Sequence, residues 1–388
     1  MKIAVVTSGL LPVPSVKGGA IETLVDSLVE ENEKNGKIDI TIYSIYDKSA
    51  KQKYKLDKRK NSKCIYICNI PNLLIRIANK ILKKNISINK YYQKQVYSKL
   101  KKQEFDYIIL ENYPELALKI SKFSKIIPYI HSDVLNVNTP NAKEIINNSY
   151  KIITVSDYIK ERVLEIGNIE SERIITVLNS IDFKMLSDSE YKEQRTKTRQ
   201  KYNISDNEIV YAYSGRISSE KGILELVKAF NKANVPNSKL MIIGGIWYNS
   251  KKRNSYLEQI ENISGDNVIF TGYINHVDIQ SVLCGIDIGV VPSICNEAAG
   301  LSVVEFMNTK NLVIGTKIGG ISEYINKSDN ILVDFSDDFI DNLAKAIRDS
   351  SNYNLDEIGE INYEYSKKFT NANNYENFIN VLKESDSK

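Results

Sequence analysis

Two open α/β domains in tandem, each a doubly wound parallel sheet covered by helices on both faces, are predicted by three observations. At 388 residues the chain exceeds one comfortable hydrophobic core and suggests two domains of under about 200 residues each. Short apolar runs rich in Ile, Val and Tyr recur with helical stretches between them, the pattern of strands buried on both faces. This alternation stops in a polar stretch over 185–207 and then restarts, which marks a linker and the first, polar helix of a second domain.

Taken in order, strands are expected at 3–7, 38–44, 64–68, 107–110, 126–131, 152–155 and 174–177, with helices such as 21–33 and 157–165 between them. Cys64 and Cys68 alternate with Ile65 and Ile67 in the third run and are expected to pack in the core. After the linker, strands follow at 209–214, 240–244, 268–271, 286–292, 312–315 and 331–333. The domains are placed at 1–186 and 187–369. A tail helix over about 370–388, with Ala372, Tyr375, Phe378, Ile379 and Leu382 at helical spacing, is a candidate to pack back on the first domain.

The composition, with 42% hydrophobic and 26% charged residues, is that of a soluble globular protein, and no apolar run approaches the length of a membrane span. The N-terminal run is too short, and too soon followed by Pro and Gly, to be a secretory signal, so a cytoplasmic location is expected. Four scattered cysteines do not make a disulfide framework, and with two histidines a zinc site is not expected. The net charge of +4 conceals Lys- and Arg-rich segments at 48–63 and 79–103. They read either as solvated helix faces or as a patch for anionic lipid headgroups, a peripheral position at the inner membrane face. No aromatic and basic motif accompanies them, so nucleic acid is not an expected partner.

Open α/β sheets gather ligands at the carboxyl ends of their strands, and four stretches fall there. Gly18 and Gly19 lie between the first strand and a helix whose first turn holds Glu22. Adjacent glycines let backbone amides approach a ligand, although such turns are also common structural features. His131 ends the fifth strand. Past the first strand of the second domain, Arg216 and Lys221 stand in a turn flanked by Gly215 and Gly222, two cations suited to a diphosphate. The fourth stretch runs from Glu297 through Ala298, Ala299, Gly300 and Leu301 to Glu305. Carboxylates eight residues apart on one continuous helix would differ by about 80° in direction. Both can meet one ligand only with Glu297 in a loop and Glu305 in a helix whose N–H groups offer an anion site. His276 is assigned no role.

These stretches, in this order, make the chain resemble a family-4 retaining glycosyltransferase of the two-domain GT-B type. Gly18-Gly19-Ala20, His131, Val155-Ser156, Asn179-Ser180-Ile181-Asp182, Gly215-Arg216, Lys221-Gly222, Gly272-Tyr273, Pro292-Ser293, Glu297 to Glu305 and Gly319-Gly320 with Glu323 carry the resemblance. The family's two glutamates separated by seven residues fall on Glu297 and Glu305. The resemblance implies two Rossmann-like domains facing across a cleft, the first for the acceptor and the second for a nucleotide sugar, which is a substrate and not a cofactor. It implies Arg216 and Lys221 at the diphosphate, Glu305 at the ribose, and Gly272, Tyr273 and Ile274 at the base. It further implies Glu297, His131 and the amides of Ala299, Gly300 and Leu301 around the transferred sugar, with Gly18 and Gly19 against the phosphates or acceptor. Two departures stand out, Ser180 where Gly is frequent and Ala298-Ala299 where Pro-Phe is often seen; the second shapes the sugar pocket.

On this resemblance the chain is expected to move a sugar with retention from a nucleotide sugar, a UDP-sugar foremost, to a glycan, lipid-linked or other cell-surface polysaccharide acceptor. No metal is expected, because Arg216, Lys221 and the helix end can meet the leaving charge. Two alternatives stay open: a nucleotide-sugar epimerase on the same fold, and a non-catalytic nucleotide-sugar-binding scaffold of surface assembly.

Overall fold

The computed structural model describes residues 1–68, 88–246, 254–327 and 329–383. The chain divides into two compact units, one of Met1–Asn179 together with the chain from Asn371, the other of Ser180–Thr370. Residues 180–186 therefore go with the second unit.

The first unit is built on a seven-stranded sheet in the order β3-β2-β1-β4-β5-β6-β7. Its strands are β1 (Lys2–Val6), β2 (Asp39–Ile45), β3 (Ser62–Ile67), β4 (Tyr107–Glu111), β5 (Lys125–Ile130), β6 (Ile152–Thr154) and β7 (Ile174–Thr176). Every pairing is parallel. Continuous apolar runs such as Ile3-Ala4-Val5-Val6 are fully buried, as strands covered on both faces must be. The C-terminal helix Asn371–Lys383 belongs to this unit. It packs on the helix Ala20–Asn35, where Tyr375 OH donates to Asn32 Oδ1 at 2.7 Å. Tyr107 OH also reaches the Leu382 carbonyl at 3.3 Å.

The second unit holds a six-stranded sheet in the order β10-β9-β8-β11-β12-β13. Its strands are β8 (Ile209–Ser214), β9 (Ser238–Ile243), β10 (Val268–Gly272), β11 (Ile288–Val291), β12 (Leu312–Thr316) and β13 (Ile331–Val333), again all parallel. Tyr211, Leu226, Phe230, Leu343 and Ile347 meet in its core, joining the helices Ile223–Ala233 and Phe339–Ser350 to the sheet. The polar helix Asp188–Lys201 opens on a capping box in which Ser187 and Glu190 exchange hydrogen bonds.

In each sheet the winding reverses beside the first strand. β1 lies between β2 and β4, and β8 lies between β9 and β11. The crevice outside the carboxyl ends at such a reversal is where open α/β sheets take ligands. In the first unit it is bordered by the Gly18-Gly19 turn and the end of β4, and in the second by the loops after β8 and β11.

Two expectations are corrected. Cys68 lies past the end of β3 and is exposed, because the strand stops at Ile67; Cys64 is half-buried, and burial pushes its thiol up to about 12. Among the described residues no helix is long and apolar enough to cross a membrane. The Lys-rich segment at 48–63 includes the helix Lys48–Leu56, of which Ala50 alone is buried. Of the segment at 79–103, residues 79–87 lie outside the described residues.

Candidate functional site

In the second unit two loops meet at Lys221 and Glu297. The first leaves β8 at Ser214 and passes through Gly215 and Arg216. It then closes a single 3-10 turn, Ser219–Lys221, before the helix that begins at Ile223. Gly222 ends this turn in the left-handed region at φ 66°, and a Cβ there would lie 2.0 Å from the Pro292 carbonyl oxygen. Glycine thus serves both the turn and the contact, which lays the first loop against the second. Ile294 N–H donates to Glu220 O at 3.1 Å across the same seam.

The second loop carries Ser293, Glu297, Ala298 and Ala299 to the helix Leu301–Asn308, whose N-cap is Gly300. Lys221 Nζ stands 2.9 Å from Glu297 Oε1, and the buried Ser293 donates its hydroxyl to the same oxygen. Glu297 is held on the main chain too, since its carbonyl accepts the Gly320 N–H at 2.7 Å. The Gly319-Gly320 turn after β12 therefore braces the loop. No side chain caps the helix at Gly300, so its first amides keep the capacity to meet an anion.

Arg216 and Lys221 were expected as cations available to a diphosphate. Both already have carboxylate partners. Arg216 pairs with Glu220 at 2.6 Å, on the exposed surface where such a pair contributes little. Lys221 pairs with the more enclosed Glu297, so an incoming phosphate must share or replace that carboxylate. Beneath them Tyr213 is buried and donates to the Arg216 carbonyl at 2.7 Å; burial first, and the Glu297 charge second, push its hydroxyl well above the usual phenol range.

Glu305 lies in the second turn of the helix Leu301–Asn308. Burial pushes its carboxyl up to about 7, and no hydrogen bond from the described residues offsets that desolvation. A carboxylate so placed gains from ligand hydroxyls that donate to it. Gly272, at φ 68°, ends β10, and Tyr273 and Ile274 follow beside a hollow of about 480 Å³ that Lys197 and Lys201 also line.

In the first unit the crevice holds a histidine and two glutamates. His131 follows β5, and Glu111 is the last residue of the neighbouring β4. Their side chains are 4% and 3% exposed, and His131 Nε2 lies 2.7 Å from Glu111 Oε2. The imidazole stacks on Tyr129 with ring centroids 4.3 Å apart. Asn112 Oδ1 accepts the backbone N–H groups of His131 and Ser132 at 3.0 and 3.1 Å, tying the ends of the two strands together. Glu22 completes the group from the first turn of the helix Ala20–Asn35. Burial raises its carboxyl above the ordinary value, its own backbone N–H acts the other way, and the Glu111 charge raises it further.

The Gly18-Gly19 turn is explained by this carboxyl. A Cβ at Gly19 would meet Glu22 Oε2 at 2.3 Å and Leu11 Cδ1 at 2.7 Å, and Gly19 has φ 104°. The space expected for a ligand over Gly19 is in part taken by Glu22. Lys17, just before the turn, pairs with Asp47 at 2.7 Å. Glu111 was not singled out in the sequence, where it reads as the end of an apolar strand. Its one signal is that this final residue is charged.

Residues 194–377 match the family described as glycosyl transferases group 1. The Bacillus subtilis (strain 168) protein YtcC, which bears a glycosyltransferase name, is 28% identical over 89% of this chain and 82% of its own length. A Salmonella typhimurium lipopolysaccharide 1,2-N-acetylglucosaminetransferase is 28% identical over 58% of each chain. Among solved structures, Anabaena Alr3699/HepE in complex with UDP superposes with a TM-score of 0.73 at 15% identity, covering 99% of this chain and 100% of that one. The same protein has been solved with UDP-glucose.

Proposed function

We propose, from the match of residues 194–377 to the family described as glycosyl transferases group 1, that the chain belongs to that family and moves a hexose with retention from a UDP-sugar to a glycan or lipid-linked acceptor of a surface polysaccharide. The observation that carries this reading is the meeting of Lys221 with Glu297 at the uncapped start of the helix Leu301–Asn308. A cation, backbone amides and a carboxylate on one short stretch fit a sugar diphosphate. The cation and amides meet the leaving phosphates, and the carboxylate meets sugar hydroxyls. The UDP and UDP-glucose complexes of the Anabaena protein support a uridine donor. The relative named for lipopolysaccharide supports a surface-glycan acceptor.

In this scheme the second unit binds the donor. Lys221, Arg216 and the helix amides stabilise charge that develops as the glycosidic C–O bond breaks, and no metal is called on for that task. Glu305 accepts hydrogen bonds from ribose hydroxyls, while Gly272, Tyr273 and Ile274 contact the base. Glu297 orients the transferred sugar, with the backbone at Ala298, Ala299, Gly300 and Leu301 shaping its pocket, and in the first unit His131 orients a sugar hydroxyl. The first unit takes the acceptor, its Gly18-Gly19 turn included. The departing phosphate oxygen accepts the acceptor's proton, so Glu297 positions and stabilises without forming a covalent intermediate.

The test is a thermal-shift panel of UDP-, GDP-, dTDP- and ADP-sugars, since a ligand bound only by the folded state, at free concentration L, raises apparent stability by RT ln(1 + L/Kd). A selective shift with UDP-sugars, followed by transfer to a glycan extract with the anomeric configuration kept, is the expected result. Inversion at the anomeric carbon, or tight binding with no turnover, would reject it. A peripheral position at an anionic membrane rests on the Lys-rich segments of the first unit. Unchanged sedimentation with anionic vesicles after joint neutralisation of Lys99, Lys101 and Lys102 would remove that cluster from the reading.

A further inference from the structure

We infer that Glu111 is the positioning residue of His131: its carboxylate accepts the Nε2 proton, holds the imidazole in one tautomer, and leaves Nδ1 as an unprotonated hydrogen-bond acceptor. The inference rests on the role given to His131 under the proposed function, and it goes beyond that role by naming what prepares the ring.

Four observations carry it. The Nε2 to Oε2 separation of 2.7 Å lies between two side chains that are 4% and 3% exposed, so solvent competes little for the contact. The other ring nitrogen, Nδ1, is buried and has no hydrogen-bond partner among the described residues. The ring plane is set by its stack on Tyr129, whose far neighbour is Phe378 of the C-terminal helix with centroids 6.5 Å apart. The backbone at His131 is set by Asn112, the residue directly after Glu111. Orientation and backbone are thus both fixed before any ligand arrives, and proton placement is the one remaining freedom of the side chain.

Chemistry selects the tautomer. A neutral imidazole has one N–H and one lone pair, and an ionised carboxylate only accepts. Facing Glu111, Nε2 therefore carries the proton, and the lone pair falls on Nδ1. An unpaired group at the buried Nδ1 is costly in either form, so the choice is made at Nε2, where only an N–H meets the Glu111 carboxylate. The strand pairing makes the contact possible, because β4 and β5 are parallel neighbours with Glu111 beside Tyr129. Glu22 is the third group facing this pair, and its carboxyl is raised by burial and by the Glu111 charge.

The chain has two histidines, so the imidazole nitrogens can be followed individually by NMR of full-length protein labelled with ¹⁵N-histidine. His276→Gln identifies the second set of signals. In the wild type, His131 is expected as a single tautomer with its proton on Nε2. Glu111→Leu, which removes the acceptor and keeps the volume, is expected to give mixed tautomers. It should also lower the rate of UDP-glucose turnover, by roughly 10- to 100-fold if the loss matches that for carboxylates that orient metal-bound histidines. Glu111→Gln keeps an acceptor oxygen without the charge, and should retain the Nε2–H form and lose several-fold less. A wild-type ring protonated on Nδ1, or a tautomer indifferent to Glu111→Leu in a variant that melts cooperatively, overturns the inference. Full turnover in His131→Ala would instead reject the role of His131, while the tautomer result would still decide what Glu111 does to the ring.

Discussion

Lys221 Nζ lies 2.9 Å from Glu297 Oε1, and Ser293 donates its hydroxyl to that same oxygen. One carboxylate oxygen therefore takes both contacts. The pair links the loop after β8 to the loop after β11, and it sits where the winding of the second sheet reverses.

Lys221→Ala is expected to lower kcat/KM for UDP-sugar turnover by about 10²- to 10³-fold, the range for loss of one preorganised charge-stabilising donor. Lys221→Arg should rescue little, because a planar guanidinium does not occupy the position of a compact ammonium. Melting temperature should change little, since both partners keep contact with water. Near-normal turnover in Lys221→Ala would remove the residue from the diphosphate assignment.

Glu305 gives a pH dependence with a defined sign. Its carboxyl would titrate at 4.5 when unperturbed and at about 7 in the folded protein, so the native state holds the extra proton between these values. The group's contribution is complete below the unfolded value and is lost as pH rises through the folded one. Glu305→Gln cannot titrate and should flatten this slope. The variant should therefore gain melting temperature relative to wild type as pH is raised from 4.5 toward 8. In the wild type, UDP affinity should strengthen over the upper part of that window, as the carboxylate forms that ribose hydroxyls prefer. A melting difference constant across this range would show that the carboxyl is ordinary.

These two sites were not equally legible in the sequence. The alternation of apolar runs and helices gave both sheets, because strands covered on two faces cannot avoid that pattern. Glu297 and Glu305 stood out because a loop and a helix could be told apart around Gly300. Glu111 could not stand out. Its partner is brought to it by the pairing of β4 with β5, and Tyr107-Ile108-Ile109-Leu110-Glu111 reads as a strand that merely ends on a charge. The carboxylate opposite Arg216 is hidden for a similar reason: Glu220 meets it through a 3-10 turn, which no apolar periodicity announces. The third strand was placed one residue too far, and Cys68 went with it.

Gly222→Ala tests whether the seam between the two loops matters. At φ 66° an alanine is strained by about 1–2 kcal/mol. Its Cβ would also stand 2.0 Å from the Pro292 carbonyl oxygen, a rigid neighbour, so the loops must part. The variant should melt lower and also lose turnover, since parting the loops moves Lys221 away from Glu297. Gly272→Ala is a useful contrast. It has a similar φ of 68° but nothing within 4 Å of its Cβ, so it should cost the backbone strain alone. Equal melting losses in the two variants would show that the Pro292 contact carries no weight.

Asp287 supplies the last test, on the frame that holds the donor loops. The residue precedes β11, and its carboxylate accepts from Arg195 at 2.5 Å, Arg199 at 2.6 Å and the Val210 N–H at 2.7 Å. It thereby joins the helix Asp188–Lys201 to β8 and to the start of β11, the two strands whose far ends carry Lys221 and Glu297. The Arg199 side chain is 4% exposed, so Asp287→Ala leaves an enclosed guanidinium without its counter-charge. Breaking one side of a buried pair costs about 3–5 kcal/mol, and the retained bonds of Arg199 to the Ser205 and Glu208 carbonyls place this case toward the lower figure. Urea unfolding should show a midpoint shift of that size. Arg195→Ala should shift it less, because its side chain is 29% exposed and water can replace it at the carboxylate. An Asp287→Ala loss below about 1 kcal/mol, the level of an exposed pair, would mean that the helix is held to the sheet by its apolar contacts and not by this carboxylate.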